Sequence, residues 1–420
     1  MRITRRRLIS TSAQALALPL IRPAWAASQT GRMPRTPARP PATPPDPGWA
    51  KRLADLAAPA PGDLVLAATG DALVNRKFSD YDAPATRALL DTVRDADVAL
   101  LNLEIALTRR GWPKQKDVIR ADPWIADELK WLGIDVVSLG NNHSMDYGPE
   151  GLGATLTTLD GARIKRAGAG LTAREAMAPA VVIARERNVA FLSFLCGFNM
   201  ADQRAGDASP GVAGVMGYTV RTGMTGKEAK TESAPDAGHL RAMEDAIRAV
   251  RRDNDLVVVS YHMHWGSRDT VDDGRRIITH AAVEAGADLV ICHGPHVLHG
   301  IECYQDKYIF HSLGNFFFQM PVEYWELFPA LQEVVSNFHG RTAHWQTVVP
   351  RITFSGRRVS RIELLPATII RQGPRLGCPQ LAEDARGSEI LAEMAQTSKS
   401  LGVAVQQAGW YGIVTPLAAG

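Results

Sequence analysis

Val290-Ile291-Cys292-His293-Gly294-Pro295-His296-Val297-Leu298 reads as the end of a buried strand followed by a tight turn. The apolar, β-branched run stops at His293, and Gly294-Pro295 turns the chain so that His296 comes back toward the same place. Two neutral imidazoles held by a turn at a strand end suit a divalent metal. A histidine pair alone is as often an ordinary surface or core feature. The reading therefore rests on what the other strand ends carry.

Outward from this stretch, the chain alternates. Short apolar runs over 64–69, 98–103, 135–139, 180–183, 189–195, 256–261 and 289–292 predict strands. Between them, helices are expected over 84–95, from Asp122-Pro123 to Gly133, over 148–159, up to 250, and over 273–285. Thr172-x-x-Glu175 has the form of a capping box. Hairpins are expected over 301–312, turning at Gln305-Asp306-Lys307, and over 347–365, turning at Ser355-Gly356. Residues 197–238 are rich in Gly, Ser, Asp and Thr and predict a surface insertion lying over the site. The alternation implies a layered α/β fold, in which ligands sit beyond the carboxyl ends of the strands.

Those ends carry donors. Asp71 follows the first strand, Glu104 closes the second, and Gly140-Asn141-Asn142-His143 follows the third with Asp146 three residues on. His262 and His264 end another strand, two residues apart and so on one face. Oxygen and imidazole donors without thiolate suit Mn, Fe, Zn or Mg, as one ion or two. Two ions bridged by a carboxylate activate water and clamp the oxygens of a phosphoryl or carbonyl group. In this arrangement Asp71, a bridging Glu104 and His296 hold one ion, while Glu104, Asn142, His264 and His293 hold the other. His264 is preferred to His262 because Gly266 permits a close backbone approach, and His262 is the secondary candidate. His143, oriented by Asp146, is the expected general acid. Arg76 is placed to anchor an anionic group. Arg109, Arg110, Lys114, Lys116 and Arg120 form a basic loop beside the rim, and Arg120 is its favoured contact to a polyanion.

The amino-terminal segment has a different character. Thr4-Arg5-Arg6-Arg7-Leu8-Ile9, a weakly apolar run over 10–21 and Ala24-Trp25-Ala26 predict a twin-arginine export signal over 1–26, and so a periplasmic or envelope-associated protein. A Pro-rich tether spans 27–60, the main domain 61–375, and a mainly helical extension 376–420. Residues 1–26 carry five arginines and no acid, so the formal charge of the remainder falls from +3 to −2. That balance argues against bulk nucleic-acid binding. Cys196, Cys292, Cys303 and Cys378 have no C-x-x-C spacing, which excludes a thiolate zinc knot of that form.

Taken together, Gly70-Asp71-x-x-x-x-Arg76, Asn102-Leu103-Glu104, Ser138-Leu-Gly-Asn-Asn-His143-Ser-Met-Asp146, His264-Trp-Gly266, His293-Gly-Pro-His296 and Ser312-Leu-Gly-Asn315-Phe316 resemble the CapA family of poly-γ-glutamate capsule biosynthesis proteins. The resemblance runs from about Leu64 to Pro374. It implies a layered β-sandwich flanked by helices, similar to calcineurin-like metallophosphatases, and adds Asn315 as a substrate contact. It also implies a role in making or exporting poly-γ-glutamate or a related anionic envelope polymer, beside membrane-bound synthesis or export proteins. Two departures from the metallophosphatase pattern stand out. Leu73 occupies the place of a metal-binding histidine, and Glu104 that of an aspartate. The expected chemistry is metal-dependent hydrolysis of a phosphoester or a γ-glutamyl amide. The alternatives are a non-catalytic polymer-binding or assembly factor and a periplasmic metallophosphoesterase unrelated to capsule.

Overall fold

The computed structural model describes residues 47–113, 119–197, 201–222, 230–264, 271–319 and 342–417. The expected export signal, the tether up to residue 46, Lys114, Lys116, Trp265 and Gly266 lie outside these residues.

Side-chain alternation builds the layers. Leu64, Leu66, Leu100 and Val136 of one sheet pack against Phe191, Leu256, Val258 and Ile291 of a second sheet. The residues between them point the other way. Ala99, Leu101 and Val137 meet helices Pro84–Arg94, Ile125–Trp131 and Gly148–Ala162. Val257, Val259 and Val290 meet helices Ala237–Arg251 and Asp273–Ala285. The result is a helix–sheet–sheet–helix sandwich, the metallophosphatase-like α/β architecture expected above. A buried Leu, Ile or Phe contributes about 1.5–3 kcal/mol, so the inter-sheet layer holds the two sheets together.

Among the described residues the first sheet has ten strands and the second eight. In the first, Leu64–Leu73, Val98–Leu103, Val136–Ser138 and Lys165–Ala167 run parallel. In the second, Arg187–Gly197, Leu256–His264, Leu289–His293 and Lys307–Leu313 run parallel. The carboxyl ends of each set carry the donor residues.

The first strand changes partner along its length. Leu64–Ala67 pairs antiparallel with strand Gln346–Ser355, and from Asp71 onward the strand pairs parallel with Asn315–Phe318. Its register with the second strand also shifts between Ala68 and Asp71. Gly70 lies at this crossing, where an added Cβ would come within 2.1 Å of Gly314 O. No larger residue fits there without moving backbone.

Several elements depart from expectation. Gly214–Thr222 within the predicted insertion pairs parallel with Arg187–Gly197 and antiparallel with Lys230–Pro235, so much of it extends the second sheet. Gly214 and Gly217 interrupt its apolar run, and its two halves pair with different strands, so no single period announced it. The segment after residue 376 adds helix Asp384–Lys399 and then a hairpin, Val403–Ala408 with Tyr411–Pro416, which continues the first sheet. Within the Pro-rich stretch, Pro47–Leu53 is a helix, with Trp49 edge-on to Trp410 at 6.0 Å. The helix after Asp122-Pro123 begins at Ile125. Thr172 caps as expected by accepting from Glu175 N, but the Glu175 carboxylate reaches Leu171 N and not the cap residue. All four cysteines are free. No helix among the described residues is long and apolar enough to cross a membrane.

Candidate metal centre

The parallel strands bring donors from both sheets into one buried cup. Asp71 is fully buried, and its Oδ1 accepts from Asn102 Nδ2 at 2.8 Å. Its Oδ2 accepts from Gly294 N at 3.2 Å and lies 3.2 Å from His296 Nδ1. Burial would raise the Asp71 carboxyl, but the His296 hydrogen bond and three neighbouring imidazoles hold it well below the usual carboxylate range.

His296 has a left-handed backbone, φ 62°. Such a conformation in a non-glycine residue is costly and persists only where the surroundings impose it. Here the turn at Gly294, itself at φ 111°, packs against the Met263 backbone. The ring is then fixed at Nδ1 by Asn315 Oδ1 at 2.8 Å and by Asp71, which leaves Nε2 directed at Glu104 Oε1, 3.6 Å away. Burial pulls His296 down, but Glu104 and Asp71 together push it up to about 9.

Glu104 is the centre of the cup. It is fully buried, and neither carboxylate oxygen accepts a hydrogen bond. The imidazole nitrogens around Oε1 stand off at 3.3 Å (His262 Nε2), 3.6 Å (His296 Nε2) and 3.9 Å (His143 Nε2). A buried carboxylate in this condition calls for a cation. Asn142 Oδ1 is likewise buried without a donor. Among the described residues, two groups offer ligand atoms within 4.8 Å of one another: Asp71, Glu104 and His296, and Glu104, His262 and His264. Glu104 belongs to both, as a bridging ligand would. Oxygen and imidazole atoms in such groups fit a divalent ion.

The first expected ligand set is thus brought together whole, whereas the second changes in one member. His293 does not enter the cup. Its Nε2 lies 3.0 Å from Thr69 O and its Nδ1 3.4 Å from Ser260 Oγ, so the ring braces one sheet against the other. Burial lowers its proton affinity and keeps it neutral for that role. His262 takes its place: strand Leu256–His264 sends both 262 and 264 into the inter-sheet space, and their Nε2 atoms lie 3.0 Å apart.

His143 stands at the rim with Nδ1 2.8 Å from Asp146 Oδ2, which also accepts from Ile119 N at 2.7 Å. Burial opposes protonation of His143, but Asp146 and then Glu104 outweigh it and raise its pKa. Burial also lifts Asp146, against the pull of His143. The pair turns His143 Nε2 toward Glu104, 3.9 Å away, and favours the charged form of the ring.

The other expected contacts are engaged elsewhere. Asn315 is fully buried, and its amide also donates to His344 O at 3.0 Å, so it positions His296. Arg76 Nη2 donates to Leu376 O at 2.6 Å and ties the first strand's extension to the closing segment. Arg120 lies over the Tyr147 ring at 5.1 Å, and Arg109 is held by Asp122 at 2.7 and 2.9 Å. Two supporting residues lay outside the expected set. Asn102 joins Asp71 to His262 Nδ1 at 3.2 Å, and Asn141 links Asn102 and Leu103 O to the His143 backbone. Both lie within two residues of expected ligands and inside the quoted motifs Asn102-Leu103-Glu104 and Gly140-Asn141-Asn142-His143, which was their signal.

This geometry can be set beside known proteins. Residues 60–320 match the family described as bacterial capsule synthesis protein PGA_cap. An uncharacterised protein, y4sH, of Sinorhizobium fredii is 25% identical and covers 81% of this chain and 91% of its own. The capsule biosynthesis protein CapA of Bacillus anthracis is 28% identical over 61% of this chain and 58% of its own. A probable polyglutamine synthesis accessory protein of Mycobacterium tuberculosis is 31% identical over 52% of this chain and 55% of its own. With most of the chain matched, and the matched span carrying every donor in the cup, the protein belongs to the bacterial capsule synthesis protein family PGA_cap.

Proposed function

We propose that this chain is an exported accessory protein that acts on poly-γ-glutamate or a related anionic envelope polymer, through a metal-dependent hydrolytic site at the shared rim. The observation that carries the reading is Glu104: a buried carboxylate without a hydrogen bond, common to two ligand groups. Asp71, Glu104 and His296 would hold one ion, and Glu104, His262 and His264 a second, with Asn142, whose buried oxygen has no donor, as a further candidate ligand. When bound, such ions supply Lewis-acid polarisation of a phosphoryl or amide oxygen and a more acidic water. The chain's own residues do the rest. Asn315 and Asp71 fix the His296 ring through Nδ1, and Asn102 fixes Asp71 and His262. Asp146 favours the charged form of His143, whose Nε2 faces Glu104 and would give a proton to a leaving group.

The test is metal analysis of the purified full chain together with a panel of phosphoesters and γ-glutamyl peptides. At least one equivalent of Mn, Zn, Fe or Mg, and turnover that His143→Ala abolishes, are expected. Less than one equivalent after growth in supplemented medium, with no loss on Glu104→Gln, refutes the metal-dependent reading.

One observation favours a second reading. Three imidazole nitrogens already stand within 3.3–3.9 Å of Glu104 Oε1, and the His296 ring beside it is pushed up to about 9 by Glu104 and Asp71. A scaffold that binds polymer without catalysis needs nothing more. Substrate binding with no turnover on any panel member decides for it. Export follows from the twin-arginine reading of residues 1–26. Arg5→Lys with Arg6→Lys is expected to retain the protein in the cytoplasm on fractionation.

A further inference from the structure

The opposite end of the sandwich carries an excess of half-buried and exposed positive charge around buried carboxylates. Asp288 is fully buried, fixed by Val257 N at 3.0 Å, and is approached by three cations: Arg251, Lys307 at 3.2 Å and Arg357 at 3.0 Å. Close by, Glu363 is fully buried between Arg351 at 2.6 Å and Arg361 at 2.8 Å. Each carboxylate is thus outnumbered by its partners. Arg358, beside Arg357, is exposed and has no ion pair among the described residues.

These cations meet in a groove of about 640 Å³ between the Lys307 turn, the Arg357-Arg358 turn and the last strand. Lys307, Arg357, Arg358 and Arg361 line it, with Asp306 as the acid in its wall. Its distance from the metal-donor rim follows from register. Tyr308 pairs with Leu289, at the start of the strand that ends at His293. Five to seven residues at about 3.3 Å each separate the two ends, roughly 20 Å.

We propose that this groove is a second anion-binding site, taking a run of carboxylates from the acidic polymer at the end of the sandwich opposite the metal donors. The choice of polymer rests on the function proposed above. Guanidinium groups in excess over their internal partners retain donors for carboxylates from outside. Their spread along a turn and strand suits a chain of repeated charges better than a single small anion.

The test uses the full-length protein freed of metal with chelator, so that the rim cannot recruit polymer through an ion. Fluorescence anisotropy of an end-labelled γ-linked glutamate decamer is measured for wild type and for Arg357→Ser with Arg358→Ser. Asp288 keeps Arg251 and Lys307 in that variant. Weakening by about tenfold, with a flatter salt dependence, is expected for the loss of two charge-assisted contacts. Arg358→Glu, which breaks no ion pair, is expected to act in the same direction. Unchanged affinity in both variants overturns the proposal, as does capture by vesicles of anionic phospholipid without binding of the decamer. The outcomes separate the two readings. Groove-dependent binding without turnover in the metal-loaded protein leaves the groove and removes the hydrolytic site. Turnover without decamer binding by metal-free protein does the reverse.

Discussion

Replacing Glu302 by Gln tests the electrostatics of the hairpin that delivers Asn315 to the cup. Glu302 is 2% exposed. It accepts from Arg276 Nη2 at 2.8 Å, His280 Nε2 at 2.9 Å and His311 Nε2 at 2.9 Å, and so joins helix Asp273–Ala285 to strands Leu298–Tyr304 and Lys307–Leu313. Burial alone would raise its pKa, but these donors pull it from 4.5 down to about 2. Because the folded value is depressed, the stabilisation is fully present above pH 4.5 and is lost as pH falls toward 2. Multiplying the shift by 1.36 kcal/mol per unit gives about 3 kcal/mol as an upper bound. The true figure is smaller, since burial opposes charging of His311 and weakens its electrostatic contribution to Glu302. His311 adds a separate loss below its ordinary value of 6.5, where the buried ring would have to charge. Urea denaturation between pH 2 and 8 reads both. Wild type is expected to weaken by about 2–3 kcal/mol between pH 5 and 2 from this group, whereas Glu302→Gln is less stable at pH 7 and lacks that segment of the curve. A variant whose curve parallels wild type through this range refutes the reasoning.

Other outcomes follow from the same coordinates. Asp146→Asn removes the charge that raises His143, so the alkaline limb of the pH–rate profile is expected to move to lower pH. Turnover on the substrate found by the panel should drop about 10²-fold or more, and an unmoved limb would separate Asp146 from His143. Glu104→Gln is expected to reduce bound metal below one equivalent and to abolish any rise in melting temperature on adding Mn, both readable by elemental analysis and calorimetry. Gly70→Ala places a methyl 2.1 Å from Gly314 O, and should cost at least about 1–3 kcal/mol in urea. Gly153→Ala, in helix Gly148–Ala162 with open space at its Cβ, should stabilise by about 0.5–1 kcal/mol. Equal effects of the two changes would contradict the strand crossing described for Gly70.

The parallel strands and their donor-bearing ends were legible in the sequence because buried β-branched runs stop abruptly at polar residues. Asp71, Glu104, His264 and His296 could be read that way. His262 and His293 could not be ranked, because alternation gives a residue's face and not its partner. Thr69 O, 224 positions away in the chain, decides that His293 is a brace. Asn315 shows the same difficulty, since a buried amide near a site supports a ligand or a substrate equally well until its neighbours are known. The carboxyl-terminal hairpin escaped notice because Val403-Ala-Val-Gln-Gln-Ala408 carries too few apolar residues to declare a period. Strand Gly214–Thr222 was hidden because Gly214 and Gly217 break its apolar run and its two halves pair with different strands.

The pairing of Asp71 with Asn315 has a consequence for how the protein matures. Ligands encoded early in the chain are held by residues synthesised some 240 positions later, and His344 O must arrive before the Asn315 amide is anchored. Such long-range closure is slow and comes late in folding. The cup is therefore complete only once synthesis has passed residue 344, and any ion it holds is acquired after that point.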